Sequence, residues 1–207
     1  MSDLNYHNSF FDLPYFQAGI SSKSSSCTPD APPFKGSVFW MNQTHSKHFQ
    51  WIDEKSDTVT EGVDALLCST PSLTLAVKWA DCLPILLFLP TPDIPSKRYG
   101  IIAAIHSGRR GSLSGITASV LSELKNYSST LEGLQVYLGP HICANNYPIS
   151  NAIHYNLKAA NLRHIFMHCQ TPTIHDSGIC TYSHKDFYSY RHGDTNDRNW
   201  AFIQLGT

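Results

Sequence analysis

The sequence predicts a mixed α/β domain with many strands, and three observations predict it. Apolar runs of strand length recur along the chain, each bounded by turn residues. One segment, Leu113 to Leu124, switches to helical spacing. No internal repeat or second boundary divides the 207 residues, a length within the range of one domain, so residues 1–207 are read as a single unit.

The elements follow in order. Residues 21–36 hold Ser21, Ser22, Ser24, Ser25, Ser26, Pro29, Pro32, Pro33 and Gly36, which predicts a flexible surface segment. Val38–Met41 reads as a short strand. Ala65–Cys68, Leu73–Val77 and Ile85–Leu89 are apolar runs of strand length. Thr91–Lys97, with two prolines, is a loop. Gly100–His106 is a buried strand with β-branched residues. Beyond Gly111, the residues Leu113, Ile116, Val120, Leu121 and Leu124 predict a helix, with Ser112 as candidate N-cap. Leu134–Leu138 is a strand stopped by Gly139-Pro140. Ile149–Leu162 is read as a helix, and Arg163–Met167 and Trp200–Leu205 as strands.

Composition narrows the function classes. Hydrophobic residues make up 42% of the chain and the net charge is −1. A disordered chain would be less apolar. A chain that binds nucleic acid through phosphate contacts would be more basic. The start, Met1-Ser2-Asp3-Leu4-Asn5, carries no basic n-region or apolar h-region. The longest apolar stretch, Leu83–Leu89, is too short to span a bilayer. These features predict a cytoplasmic protein, with no membrane and no nucleic acid among its partners. None of the six cysteines (Cys27, Cys68, Cys82, Cys143, Cys169, Cys180) forms a C-x-x-C pair. Zinc-ribbon and thioredoxin-like readings therefore fail, and reduced cysteines are expected.

Three polar clusters stand at the ends of predicted strands, where binding groups tend to collect. They are Asn42-Gln43-Thr44-His45-Ser46, Ala80-Asp81-Cys82-Leu83-Pro84 and His106-Ser107-Gly108-Arg109-Arg110-Gly111. One His, one Cys and one His from three such loops could converge as a three-ligand zinc site with an open fourth position. Taken singly, each reads as an ordinary packing or surface residue. Gly108 and Gly111, ahead of a helix and beside two arginines, suggest either an anion cradle or a plain tight turn. His164 and His168 have metal-pair spacing, but lie in a strand-like run and lack the Glu of H-E-x-x-H; a structural role is expected. Asp64 reads as a turn or cap residue as readily as a functional one. Arg191 and Arg198 flank the polar loop Gly193–Asp197 and could reach a phosphate.

Together these segments resemble the YfiH family, the laccase-domain or polyphenol-oxidase-like purine nucleoside phosphorylases. The resemblance rests on Gln43-Thr44-His45-Ser46, Val63-Asp64-Ala65-Leu66, Ala80-Asp81-Cys82-Leu83-Pro84, His106-Ser107-Gly108-Arg109-Arg110-Gly111, Gly139-Pro140-His141-Ile142, Cys180-Thr181, Phe187-Tyr188-Ser189-Tyr190-Arg191-His192 and Asp197-Arg198. It covers the chain from about residue 38 to the end.

The resemblance implies an α+β fold with two mixed sheets packed between helices. It implies metal ligands His45, Cys82 and His106, holding zinc or copper. The implied activities are phosphorolysis of adenosine, inosine and methylthioadenosine, and deamination of adenosine; the small-molecule partners are then purine nucleosides and phosphate. Within that reading His45, Asp81, Cys82 and His106 are the catalytic candidates, with Asp81 orienting a ligand or relaying a proton. Arg110, Arg191 and Arg198 are the phosphate-binding candidates. The chain departs from the family pattern at Arg109, where the family has Trp, and at His192, where it has Arg. It also lacks the Arg of the family's N-terminal motif, and its late segments are short. Competing readings are a copper-dependent polyphenol oxidase, a cysteine hydrolase with Cys82 as nucleophile and His106 as base, and a non-catalytic metal-binding protein. Monomer and homodimer both stay open.

Overall fold

The computed structural model describes residues 9–13, 16–23, 36–91, 94 and 99–206. In chain order the strands are β1 (Ser9–Leu13), β2 (Phe16–Ile20), β3 (Val38–Asn42), β4 (Phe49–Ile52), β5 (Val59–Glu61), β6 (Ala65–Cys68), β7 (Thr74–Trp79), β8 (Leu83–Leu89), β9 (Ile101–Ser107), β10 (Gln135–Leu138), β11 (Pro148–Ser150), β12 (Ile153–His154), β13 (Thr173–Asp176) and β14 (Asn199–Leu205). The helices are α1 (Arg109–Ser114), α2 (Ile116–Leu124) and α3 (Leu157–His168).

Two six-stranded sheets form, in the orders β1-β2-β14-β7-β3-β5 and β13-β10-β8-β9-β6-β4, and a small hairpin pairs β11 with β12. Both large sheets are mixed. In the first, β3 runs parallel to β5 and β7; in the second, β4 is parallel to β6 and β10 to β13.

Side chains alternate between the faces of a strand, and that alternation sorts the core. Leu66, Cys68, Leu86, Phe88, Ile102 and Ala104 of the second sheet meet Ala18, Met41, Leu75, Val77, Ala201 and Ile203 of the first. Their neighbours Leu67, Ile85, Leu87, Ala103 and Ile105 point the other way, onto Ile116, Val120 and Leu121 of α2 and Leu157 and Ile165 of α3. β6, β8 and β9 are therefore buried on both faces, which is why they read as continuous apolar runs. Each such Leu or Ile contributes about 1.5–3 kcal/mol by leaving water.

The α+β class with two mixed sheets holds. The expected outer layer of helices covers the second sheet. Among the described residues, the outer face of the first sheet carries the smaller cluster Val38, Ala76 and Trp200 instead.

Several local expectations are corrected. The helix expected after Gly111 begins earlier and is broken in two. Gly108 is the N-cap of α1, and Gly115, in the left-handed region at φ 86°, both ends α1 and caps α2. Ser112 is accordingly inside α1, where its hydroxyl donates to the Arg109 carbonyl, and Leu113 is exposed. Ile149–Leu162 is not one helix. Residues 148–154 form the hairpin instead. α3 starts only after Asn156, whose side chain accepts from the Ala159 N–H. Arg163–Met167 belongs to α3 and is not a strand. Its buried positions, Leu157, Asn161 and Ile165, recur every fourth residue. Exposed Phe166 and Met167 mask that period in the sequence. Of the Ser/Pro-rich stretch, residues 24–35 lie outside the described residues, as do 92–93 and 95–97 of the expected Thr91–Lys97 loop. Ser21 and Ser22 are buried, and Ser21 exchanges hydrogen bonds with the Trp200 backbone, so the stretch begins as fixed structure.

Candidate metal centre and the cavity above it

Strand register delivers the site. In β9, His106 has the same parity as Ile102 and Ala104, so it points between the sheets at the end of their shared core. β8 runs antiparallel to β9, pairing Pro84 with His106, which brings Cys82 beside the end of β9. β6 is antiparallel to β9 as well, pairing Ala65 with Ile105, and β4 pairs Phe49 with Ala65. Asp64 and the His45 loop therefore reach the same end of the second sheet. Residues dozens of positions apart converge because β6 and β8 start where antiparallel β9 ends, and β4 starts beside parallel β6.

The ligand atoms of His45, Cys82 and His106 lie within 4.8 Å of one another. Cys82 Sγ is 3.7 Å from His45 Nε2, and the two imidazoles stand edge to face with centroids 4.8 Å apart. Two imidazole nitrogens and a thiolate are a donor set suited to zinc or copper.

The carboxylate that organises this centre is Asp64, fully buried. It accepts from the backbone N–H groups of Thr44 (3.2 Å), His45 (3.0 Å) and Ser46 (2.6 Å) and from the Ser46 hydroxyl at 2.8 Å. It also holds His106 Nδ1 at 2.8 Å, leaving Nε2 as the His106 ligand atom. A carboxylate behind a ligating histidine fixes its tautomer and ring plane. The same group pins His45 in the left-handed region at φ 60°. Burial pushes the Asp64 carboxyl up, but the His106 ring and the Ser46 bonds outweigh it and hold the group well below the ordinary carboxylate range.

The thiol is also tuned. Burial raises it, while the His106 imidazolium and then the His45 ring pull it down, to about 6. In turn, burial disfavours charge on His106, but the Cys82 thiolate and the Asp64 carboxylate keep its ring protonated above the usual histidine range. A divalent cation would replace that proton, with the thiolate already formed.

Gly108 closes the centre from behind. A Cβ there would lie 2.6 Å from His45 Cδ2 and 2.9 Å from Cys82 Sγ. Of the two readings of Gly108–Gly111, an anion cradle or a tight turn, the structure shows backbone packed closely against the His45 loop. Arg109 and Arg110 are exposed on the first turn of α1.

Above the centre opens a cavity of about 350 Å³, lined by Gln43, Lys78, Trp79, Tyr147, Tyr190, Arg191 and Arg198, with His45, Asp81, Cys82 and His106. Arg191 and Arg198 are therefore brought to the site, and Arg110 is not. Lys78 takes its place as the third cation, being the last-but-one residue of β7. The Arg191 guanidinium lies over the Tyr147 ring, 5.1 Å from its centroid.

Asp81 lines the cavity, but its carboxylate is spent on scaffolding. One oxygen accepts from the Thr181 hydroxyl and the other from the Arg191 N–H, both at 2.7 Å, and its backbone stands at φ 80°. It positions Arg191; the orienting carboxylate of the centre is Asp64.

Gln43, Lys78, Tyr147 and Tyr190 were missed by sequence reasoning. Gln43 had a signal, two residues before His45, and its amide bonds to both backbone groups of Lys78. His164 and His168 are in α3, bonded to the Ser112 and His164 carbonyls, in keeping with a structural role. The five described cysteines are free. No helix among the described residues is long and apolar enough to cross a membrane.

Comparison with known proteins places this geometry. The chain is similar to a purine nucleoside phosphorylase of Mycobacterium tuberculosis, 32% identical over 123 residues, 59% of this chain and 46% of that protein. It is 30% identical over 130 residues to an adenosine deaminase of an unknown prokaryotic organism, covering 56% of this chain and 47% of that one. It thus spans about half the length of these curated relatives. Its fold is that of the Bacillus licheniformis protein YfiH, with a TM-score of 0.74 at 18% identity, over 94% of this chain and 97% of that one. A family model described as multi-copper polyphenol oxidoreductase laccase matches residues 28–171. With most of its length inside that match, the chain belongs to the laccase-like polyphenol oxidoreductase family.

Proposed function

We propose that this protein is a purine nucleoside phosphorylase that cleaves adenosine, inosine and methylthioadenosine to the free base and a ribose 1-phosphate, and that the same pocket deaminates adenosine. The observation that carries this reading is the placement of His45, Cys82 and His106 beneath a cavity of nucleoside size whose wall carries three cations. The names of the relatives, purine nucleoside phosphorylase and adenosine deaminase, support it.

Zinc is the proposed metal, held by His45, Cys82 and His106, and when bound it supplies Lewis acidity and a water of lowered pKa. The protein's own groups do the rest. Asp64 holds the His106 ring and the His45 backbone, so the ligands need not reorganise during reaction. Arg191, Arg198 and Lys78 offer N–H donors and positive charge to phosphate oxygens, drawing the nucleophile into the pocket and orienting it. As the glycosidic bond breaks, positive charge grows on the ribose, and phosphate held beside it stabilises that charge. The Tyr147 and Tyr190 rings give flat apolar faces against which a purine can stack. Asp81 keeps the Arg191 backbone in place.

The test is inosine incubated with and without phosphate, alongside metal analysis. Phosphate-dependent release of hypoxanthine is expected, with metal bound and lost in His45→Ala, Cys82→Ala and His106→Ala. Equal release in both tubes rejects phosphorolysis, and metal retained in all three variants rejects the ligand assignment.

The family description favours a second reading, a copper-dependent polyphenol oxidase. Four-electron reduction of oxygen draws on several coppers, whereas the described residues hold one cluster of three candidate ligands. Oxygen uptake with a phenol, present with copper and absent with zinc alone, would raise this reading above the first.

A further inference from the structure

Two cysteines outside the metal centre sit together with a polarity of their own. Cys143 and Cys180 are both half-buried and both free. The Cys143 backbone N–H donates to Cys180 Sγ at 3.1 Å. A single side-chain amide, Asn146 Nδ2, lies 3.3 Å from Cys143 Sγ and 3.4 Å from Cys180 Sγ, and its orientation is fixed by Ser183 Oγ at 3.0 Å. Backbone bonds between His141 and Thr181, and between His141 and Ile179, hold the two segments in register.

We propose that Cys143 and Cys180 form a redox-modification site, a dithiol that a hydroperoxide converts to an intramolecular disulfide. Cys180 is the attacking sulfur and Cys143 the resolving one.

The surroundings assign these roles. Cys180 collects the larger set of donors: the Cys143 N–H at 3.1 Å, the Cys143 thiol, the Ser183 N–H and the Asn146 amide, which it shares with Cys143. Burial alone raises the Cys180 thiol, and these donors overcome it and bring it down to about 7. Cys143 moves the opposite way, raised by burial and by donating its proton to Cys180. One sulfur is therefore substantially thiolate near neutral pH, and its neighbour carries a proton, as a peroxide-reactive and a resolving cysteine need.

The steps balance. The Cys180 thiolate attacks one oxygen of the peroxide and the O–O bond breaks. The departing hydroxide leaves as water after taking up a proton, and Cys180 becomes a sulfenic acid. Cys143 then attacks that sulfur as its thiol proton passes to the leaving hydroxide, releasing a second water. The two thiols lose two electrons and the peroxide gains them. At pH 7 a thiol of pKa about 7 is about half ionised, against about 3% for a free cysteine of pKa about 8.5. Its lower intrinsic nucleophilicity offsets much of that gain, leaving an advantage of about threefold to fourfold.

The bond would tie together two stretches of the cavity wall. Tyr147 lies four residues beyond Cys143. Cys180 precedes Thr181, whose hydroxyl holds Asp81, which in turn holds the Arg191 backbone.

The test uses the reduced full chain exposed to stoichiometric hydrogen peroxide at neutral pH, then alkylated, digested and mapped by mass spectrometry. A linked peptide joining Cys143 to Cys180, reversed by dithiothreitol, is expected. It should form about threefold to fourfold faster than peroxide oxidises a simple cysteine peptide in the same tube. In Cys143→Ser, dimedone should trap a sulfenic acid on Cys180; in Cys180→Ser, Cys143 should stay open to alkylation. Three results on the wild-type chain each overturn the proposal, whatever the variants do. These are both thiols still alkylatable, Cys180 over-oxidised while Cys143 stays free, or either cysteine bonded to a different partner.

Discussion

At the floor of the cavity, His106 is 4% exposed and bonded to a carboxylate that is itself 0% exposed. Across the cavity, Arg191 is exposed and held through its backbone by Asp81. The floor is set by strand register and by one buried acceptor shared among six donors. The wall is set by the end of β7, by loops and by the turn Tyr190–His192, where the Arg191 side chain is held by a cation–π contact with Tyr147 rather than by a buried carboxylate. This contrast fits the division of labour proposed above. A metal centre works when its ligands are already placed, whereas a nucleoside and a phosphate must enter and leave.

The largest expected effect breaks the floor. Asp64→Ala leaves the N–H groups of Thr44, His45 and Ser46 and the His106 ring without their acceptor. We expect a loss of about 3–5 kcal/mol, as for other broken buried charge pairs, read from the urea midpoint, with bound metal lost. If Asp64→Ala keeps full metal content and stability, the floor is not organised as described. The pH dependence follows in sign. Because the folded state depresses the Asp64 carboxyl, its stabilisation is complete above its unfolded value of about 4 and is lost as pH falls toward the folded value. The gap in urea midpoint between the wild-type chain and Asp64→Asn should narrow from about pH 5 to about pH 3. A gap independent of pH would remove the carboxylate's charge from the account.

Next comes Gly108→Ala. The added methyl presses on the His45 and Cys82 side chains, the candidate ligands themselves. Metal affinity should drop by about tenfold or more, with a stability cost of about 1–3 kcal/mol from overpacking. Competition with a chelator of known affinity measures the first.

Arg191→Ala probes the wall. It should leave metal content and the urea midpoint alone, and raise the KM for phosphate by about tenfold, the worth of a charged hydrogen bond. A change in metal content instead would mean that wall and floor are not separable. Arg110→Ala is the smallest. On the exposed turn of α1 it should change stability by less than about 0.5 kcal/mol and leave phosphate dependence unchanged, although the sequence put it among the phosphate candidates.

The strands that carry the floor were the most legible part of the chain. β6 was read with its observed bounds, and β8 and β9 to within two residues, because burial on both faces leaves unbroken apolar runs. α3 was the least legible. Its core face is three residues, and one of them is the polar Asn161, buried because it accepts from Ser107 and Thr117. The three candidate ligands were named from loops at strand ends and from family resemblance. Asp64 was named too, but with no way to choose between a cap and a functional role.

The sequence by itself determined where strands would form, that polar loops would follow them, and which residue types those loops would offer as ligands. These are local properties, set by residue pattern within a few positions. Tertiary structure alone decided the rest. The order of strands in the second sheet put Asp64, Cys82 and His106 at one end. The close approach of Gly108 made room for His45. The packing of the late loops brought Tyr147 and Arg191 to the end of β7, where Lys78 stands, and left Arg110 outside the cavity. Those outcomes depend on which strand lies beside which, and pairing partners far apart in the chain leave no local trace in the sequence.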